Sequence, residues 1–228
     1  MTKRITIVGG SKGGVGKSFV CMAMIDYLQT RGEQVLLIES DTSNPDVGKA
    51  YREDVAALEL LDLDQADGWI ELLNVCEAHP DCHVVVNSAA RSNEGVNNYG
   101  SMLSDTLPEL QRELTTLWVI NRQKDSLELL RSYQKALPNS RIHVIRNGHF
   151  GAESKFQLYN ESKIRKAIEK SGGKSTLFPD MADRVADAIY TDRLTIEKAA
   201  QNQPIGNRAE LLRWRNLAHA MMKDVLDG

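Results

Sequence analysis

The stretch Arg4-Ile5-Thr6-Ile7-Val8-Gly9-Gly10-Ser11-Lys12-Gly13-Gly14-Val15-Gly16-Lys17-Ser18 decides how the chain is to be read. Its first five residues are β-rich and stop at Gly9-Gly10. From Lys17 to about Thr30, Val20, Met24, Ile25 and Leu28 recur at helical spacing, and Arg31-Gly32 ends that helix. A strand, a glycine-rich turn and a helix therefore follow one another directly. Gly13, Gly14 and Gly16 let the backbone curl until several N–H groups point at one anion, and the helix adds the positive end of its dipole there. That order points to a phosphate cradle spanning Ser11 to Ser18. Lys17 reaches the β- and γ-phosphates of a nucleoside triphosphate, and the Ser18 hydroxyl completes a Mg²⁺ shell.

Apolar runs alternate with amphipathic segments along the rest of the chain. Strands are expected at 34–38, 83–86, 117–120, 142–145 and 175–178. Helices are expected from Asp67, as cap, to about Ala78, from Asp125 to Leu137, from Glu161 to Lys170 and from Ala209 to Leu226. Strands apolar on both faces and separated by helices indicate an α/β fold: a doubly wound, mainly parallel sheet with helices on both faces. One domain over residues 1–228 is expected from the length. The stretch Ala89 to Ser101, rich in Asn, Ser and Gly, reads as a mobile loop beside the site.

Apolar residues make up 42% and charged residues 26%, so the composition is that of a soluble globular chain. The absence of an 18-residue apolar run predicts no membrane span and a cytoplasmic protein. Cys21, Cys76 and Cys82 form no C-x-x-C pair and read as buried or free thiols. A net charge of −3 argues against whole-chain nucleic-acid binding while leaving room for a local basic patch.

Lys12-Gly13-Gly14-Val15-Gly16-Lys17-Ser18 carries a second lysine five residues before the first, where a plain phosphate loop has none. This run resembles the deviant phosphate loop of the ParA/MinD ATPases, a family of P-loop NTPases. The resemblance implies ATP/ADP and Mg²⁺ as ligands, with Phe19 among the nucleotide-binding residues. It also implies that Lys17 acts on its own subunit's nucleotide while Lys12 crosses a dimer interface, so that ATP drives homodimerisation. Asp41, in Glu39-Ser40-Asp41-Thr42, matches the family's water-orienting acid and approaches Mg²⁺ through water. Glu39 stands where the family has a first Asp. Thr42 to Asp46 corresponds to the first switch loop. Asn87 departs from the family, which has a metal-holding Asp there; an Asn still accepts one bond from a metal-bound water but carries no charge. Slow hydrolysis is therefore expected, with an ATP-dependent dimeric scaffold that recruits a DNA-binding partner with little or no hydrolysis as the alternative.

Asn147, ending one strand, and Pro179-Asp180, after another, resemble the family's adenine pocket. No Asn-Lys-x-Asp guanine signature occurs, which favours ATP over GTP. Asn121-Arg122 is a further candidate for the edge of the site. Leu211, Trp214, Ala218, Met221 and Val225 share a stripe on the last helix, with Leu212, Met222 and Leu226 beside it. That stripe reads as core packing in preference to membrane docking. Arg208, Arg213, Arg215 and Lys223 are candidates for a non-specific DNA patch. The resemblance places the chain among short plasmid-borne ATPases of stability and conjugation, of the StbB and TraL kind, acting with a DNA-binding partner protein.

Overall fold

In the computed structural model, which describes residues 3–10, 13–89 and 93–227, seven parallel strands form one sheet in the order β3-β2-β4-β1-β5-β6-β7. The strands are β1 (Arg4–Gly10), β2 (Val35–Glu39), β3 (Ala57–Leu60), β4 (His83–Asn87), β5 (Glu113–Ile120), β6 (Arg141–Asn147) and β7 (Ser175–Phe178). The central strands are apolar throughout because both faces are covered: Val84, Val85 and Val86 are all fully buried.

On one face lie α1 (Lys17–Thr30), α2 (Asp46–Tyr51), α8 (Asp183–Thr191), α9 (Ile196–Asn202) and α10 (Ile205–Asp227). The other face carries α3 (Ala66–Ala78), α4 (Asn93–Leu110), α5 (Asp125–Ala136), α6 (Gln157–Asn160) and α7 (Lys163–Lys170). Alternate side chains of each strand feed the two cores: Val8, Val85 and Leu117 enter the first, Ile7, Val84, Val86 and Trp118 the second.

Several boundaries differ from the sequence expectation. Residues 93–101 are not a loop but the first half of α4, while 90–92 lie outside the described residues. Poor helix formers hide that helix in the sequence. It forms because Val96, Leu103 and Leu107 bury against the second core, a tertiary contact that overrides propensity. α2, β3 and α9 were too short to leave a periodic signal. Asp67 is not the cap of α3 but a residue of its first turn, where its charge favours the dipole. The helix expected from Glu161 starts at Lys163, because the Ser162 hydroxyl caps it by accepting the Arg165 N–H (3.1 Å). Leu212 is exposed, and the buried stripe of α10 is Leu211, Trp214, Ala218, Met221, Met222, Val225 and Leu226.

α10 is held to α1 by charge as well as apolar area. Asp26 of α1 is 3% exposed and accepts from Arg215 Nε and Nη2, both at 2.8 Å. The ring nitrogen of His219 lies 2.6 Å from the same carboxylate, and Arg215 also reaches Glu197 of α9 at 2.7 Å. A buried carboxylate is tolerable only with such partners, and removing one typically costs about 3–5 kcal/mol. Arg213 is likewise paired with Glu210 (2.7 Å). Two of the four residues of the candidate DNA patch, Arg213 and Arg215, are thus engaged by contacts within the fold. Cys21, Cys76 and Cys82 are buried free thiols.

His83 and His143 begin the buried parts of β4 and β6 on the first-core face, 6% and 2% exposed. Neither His83 ring nitrogen is hydrogen-bonded, although Nε2 lies 3.4 Å from the Glu33 carboxylate, which opposes the effect of burial, and His143 Nε2 has no hydrogen-bond partner. Burial pulls both imidazoles from 6.5 down to about 4. Each is neutral in the fold and charged once unfolded, so the unfolded chain binds more protons between pH 6.5 and 4. Stability from these rings is complete above about 6.5 and is lost as the pH falls toward 4, by at most ~3 kcal/mol per ring. Glu39, raised from 4.5 to about 7, acts in the opposite sense, so the comparison has to be made between variants. In urea unfolding, the His83→Gln/His143→Gln chain should lose distinctly less stability than wild type on going from pH 7 to pH 5. Equal losses in the two proteins would rule out the histidines as the cause.

Candidate functional site

The carboxyl ends of the strands meet at one rim of the sheet, where a cleft of about 480 Å³ opens, a volume suited to a nucleotide-sized ligand. Its floor is the glycine loop. Gly14 and Gly16 have φ of +76° and +98°, and Gly16 stands at the N-terminal end of α1 without any side chain capping it. The first N–H groups of α1 are therefore left facing the cleft, as an anion requires. Lys17 lines the cleft and is 8% exposed. Burial draws its ammonium down from 10.5 to about 8, against the attraction of Asp41. Ser11 and Lys12 lie outside the described residues.

Gly13, Gly14, Gly16, Lys17, Ser18, Phe19, Asp41, Asn87, Asn147, Pro179 and Asp180 all line this one cleft, so residues more than 160 positions apart in sequence converge there. Val15 does not: its side chain is buried in the first core. Its carbonyl instead accepts a bond from Asn147 Nδ2 (2.9 Å), while Asn147 Oδ1 accepts the His149 N–H (3.1 Å). Asn147 thereby ties the end of β6 to the glycine loop. A Cβ at position 16 would lie 2.2 Å from Asn147 Nδ2, so glycine is required there by space as well as by φ.

Opposite the loop, Pro179 accepts a bond from Trp214 Nε1 at 2.9 Å. Edge-to-face contacts run from Tyr190 to Phe19 (4.8 Å), from Phe19 to Trp214 (6.3 Å) and from Trp214 to Phe178 (5.5 Å). They fix this wall, and Tyr190 also shares a side-chain hydrogen bond with Ser18. Asn121 does not line the cleft; its side chain accepts from Gln123 N–H and Ser126 Oγ at the start of α5. Five aspartates and one lysine line the cleft among the described residues. A polyphosphate entering it needs its charge compensated by further cations.

Asp41 forms the lip of the cleft. Its carboxylate accepts from Ser43 Oγ (2.7 Å) and from the Asn44 N–H (3.1 Å), closing a turn of the loop that leads into α2. Asp46, expected at the end of that loop, is the first residue of α2. Deeper in, Glu39 and Asn87 end the paired strands β2 and β4 side by side. Asn87 Nδ2 donates to Glu39 Oε2 (2.9 Å), and the Gly48 N–H donates to Glu39 Oε1 (2.7 Å). Glu39 is completely buried; that burial raises its carboxyl to about 7 despite both hydrogen bonds. Asn87 Oδ1 is buried without a hydrogen-bond partner, an arrangement that calls for a water or ion.

Sequence reading did not single out His149, Tyr190 or Trp214, all of which line the cleft. Trp214 lay in the apolar stripe of α10 and read as core, which it also is.

A family model described as the CobQ/CobB/MinD/ParA nucleotide binding domain matches residues 5–155. Protein MobD of Acidithiobacillus ferrooxidans is 62% identical over 226 residues, covering 99% of each chain. Among solved structures, the septum site-determining protein MinD complexed with Mg-ADP from Pyrococcus horikoshii OT3 aligns over 95% of this chain and 96% of its own. That match has a TM-score of 0.54 at 16% identity. A plasmid partition protein from Borrelia burgdorferi aligns over 99% of this chain and 100% of its own, with a TM-score of 0.54 at 13% identity. The glycine loop at the head of β1, the all-parallel sheet and these matches together place the chain in the CobQ/CobB/MinD/ParA nucleotide-binding family.

Proposed function

We propose that this chain binds Mg-ATP in the cleft, hydrolyses it slowly, and uses the presence of the γ-phosphate to switch its own dimerisation. The observation that carries the reading is the uncapped start of α1 beside Lys17, at the floor of a cleft that Asp41 and Asn87 also line. The residues present suit the ligand. The glycine loop and Lys17 would hold the phosphates, Ser18 would bind Mg²⁺ directly, and Asp41 and Asn87 would do so through water. Mg²⁺ would neutralise phosphate charge that the five aspartates of the cleft cannot. The wall of Asn147, Pro179 and Asp180 is the place for the adenine.

Asp41, at the lip, is positioned to orient the attacking water, and such hydrolysis is mostly a matter of positioning and charge. With an uncharged Asn87 at the head of β4, turnover is expected below about 1 s⁻¹, the lower edge of the usual enzyme range. A second reading, a scaffold that binds ATP without hydrolysing it, is favoured by the same residue. The 62% identity to Protein MobD, together with a fold shared with a plasmid partition protein, supports a role in plasmid stability or conjugation, for which we propose a DNA-binding partner. No helix among the described residues is long and apolar enough to cross a membrane, and the proposal invokes none.

Three measurements test this. Lys17→Ala should weaken binding of a fluorescent ATP analogue by roughly 10- to 100-fold, the worth of a charge-assisted bond; unchanged affinity would remove the cleft as the site. Lys12→Ala should bind ATP like wild type yet remain monomeric in light scattering with a non-hydrolysable analogue, and dimerisation equal to wild type would refute a crossing lysine. Phosphate release, followed with and without added DNA, should show slow turnover. A rate on the order of 1 s⁻¹ or more would contradict slow hydrolysis, and no release at all would select the scaffold.

A further inference from the structure

We propose that Glu39 is a positioning residue that supplies, one strand away, the carboxyl group missing from the head of β4: it holds and polarises the Asn87 amide so that Asn87 Oδ1 receives a metal-bound water. The inference rests on the Mg-nucleotide reading above and adds a residue to it.

The geometry is specific. Glu39 and Asn87 are Cα partners at the carboxyl ends of neighbouring parallel strands. The Asn87 amide nitrogen donates to Glu39 Oε2 at 2.9 Å, and with the Gly48 N–H on Oε1 both carboxyl oxygens of Glu39 accept. That leaves Oδ1 as the atom turned away from Glu39, and Oδ1 is the buried atom without a partner. A donor amide bonded to an anion becomes a stronger acceptor at its oxygen, since hydrogen bonds in series polarise one another in a low-dielectric interior. Asn87 bonded to Glu39 thus offers an approaching hydrated cation more than a neutral amide alone would.

The longer glutamate is what makes the arrangement reach. Its Cγ would lie 3.0 Å from a Cβ at position 48, so Gly48 leaves the room for it. The second carboxylate oxygen takes the Gly48 N–H (2.7 Å) in the first turn of α2. Pro45 precedes that helix and has no side-chain cap to offer. One buried carboxylate therefore joins the head of β4 to the first turn of α2, whose leading residue Asp46 lines the cleft. A merely structural role would be limited to capping α2, which a glutamine can also do through its oxygen.

The test is the Mg²⁺ dependence of nucleotide affinity, measured by titrating a fluorescent ATP analogue in Mg²⁺ and in EDTA, with thermal melting as a check on folding. In wild type, Mg²⁺ should tighten binding. Glu39→Gln should lose that tightening by about 10- to 100-fold, the usual effect of removing a partner that orients a metal-binding group, while its affinity in EDTA stays near wild type. Glu39→Gln/Asn87→Asp, which moves the charge to the head of β4, should recover it. Asn87→Ala should lose it. A Glu39→Gln chain with wild-type Mg²⁺ dependence overturns the inference, as does a folded double variant that fails to recover. If Glu39→Gln does not fold, the other two variants decide: Asn87→Ala retaining Mg²⁺ dependence, or the double variant losing it, overturns the inference. Wild type that binds nucleotide equally in Mg²⁺ and EDTA also overturns it. Failure of wild type to bind nucleotide at all would instead remove the proposed function and this inference with it.

Discussion

The parallel ladder of β1 with β4 on one side and β5 on the other constrains everything else. Parallel neighbours cannot be joined by a tight turn, so each return of the chain passes through a crossover. Both faces of the sheet must then be covered, which accounts for five helices on each side among the described residues. All the strands also end at the same rim. The glycine loop, Glu39, Asn87, Asn147 and Pro179 are neighbours because each follows or closes a strand that points the same way. The cleft is a consequence of topology before it is a consequence of any one residue.

Two kinds of bond make that rim rigid. Asn147 clamps the glycine loop from the end of β6 through the Val15 carbonyl, so the loop is shaped by a residue more than 130 positions later. Behind it, the Asp26 cluster fastens α10 to α1, and α10 in turn sets Trp214 against Pro179. The last helix therefore supports the far wall of the cleft as well as closing the core. Two of its arginines, Arg213 and Arg215, which as a list of charges suggest a surface for polyanions, are engaged with Glu210, Asp26 and Glu197. Charge counted along a sequence says nothing about whether each charge already has a partner.

The floor of the cleft shows the same distinction. Taken singly, Asn87 is the loss of a metal-holding carboxylate and Glu39 a conservative lengthening. In the structure they are a pair, strand beside strand, with the carboxylate buried and its proton affinity raised because it has so little water around it. The pairing makes the asparagine an oriented group.

By itself the sequence determined the fold class and the floor of the site. Continuous apolar strands alternating with helices demand a covered parallel sheet, and Gly13-Gly14-Val15-Gly16-Lys17-Ser18 is local chemistry, complete within one turn. Through the resemblance to the family it also marked Asp41, Asn87, Asn147 and Pro179, all at or just after strand ends, as belonging near that turn. It did not reveal α4, whose first half is written in residues that disfavour helices, because its stability comes from Val96 and Leu103 meeting a distant core. Nor did it reveal α2, β3 or α9, which are too short for a period to register. Only the tertiary structure decided that Val15 points inward, that Leu212 points out, that Arg213 and Arg215 are paired, and that Glu39 holds Asn87. Those are facts of side-chain direction and of contact across tens to nearly two hundred residues, and burial, not pattern, settles them.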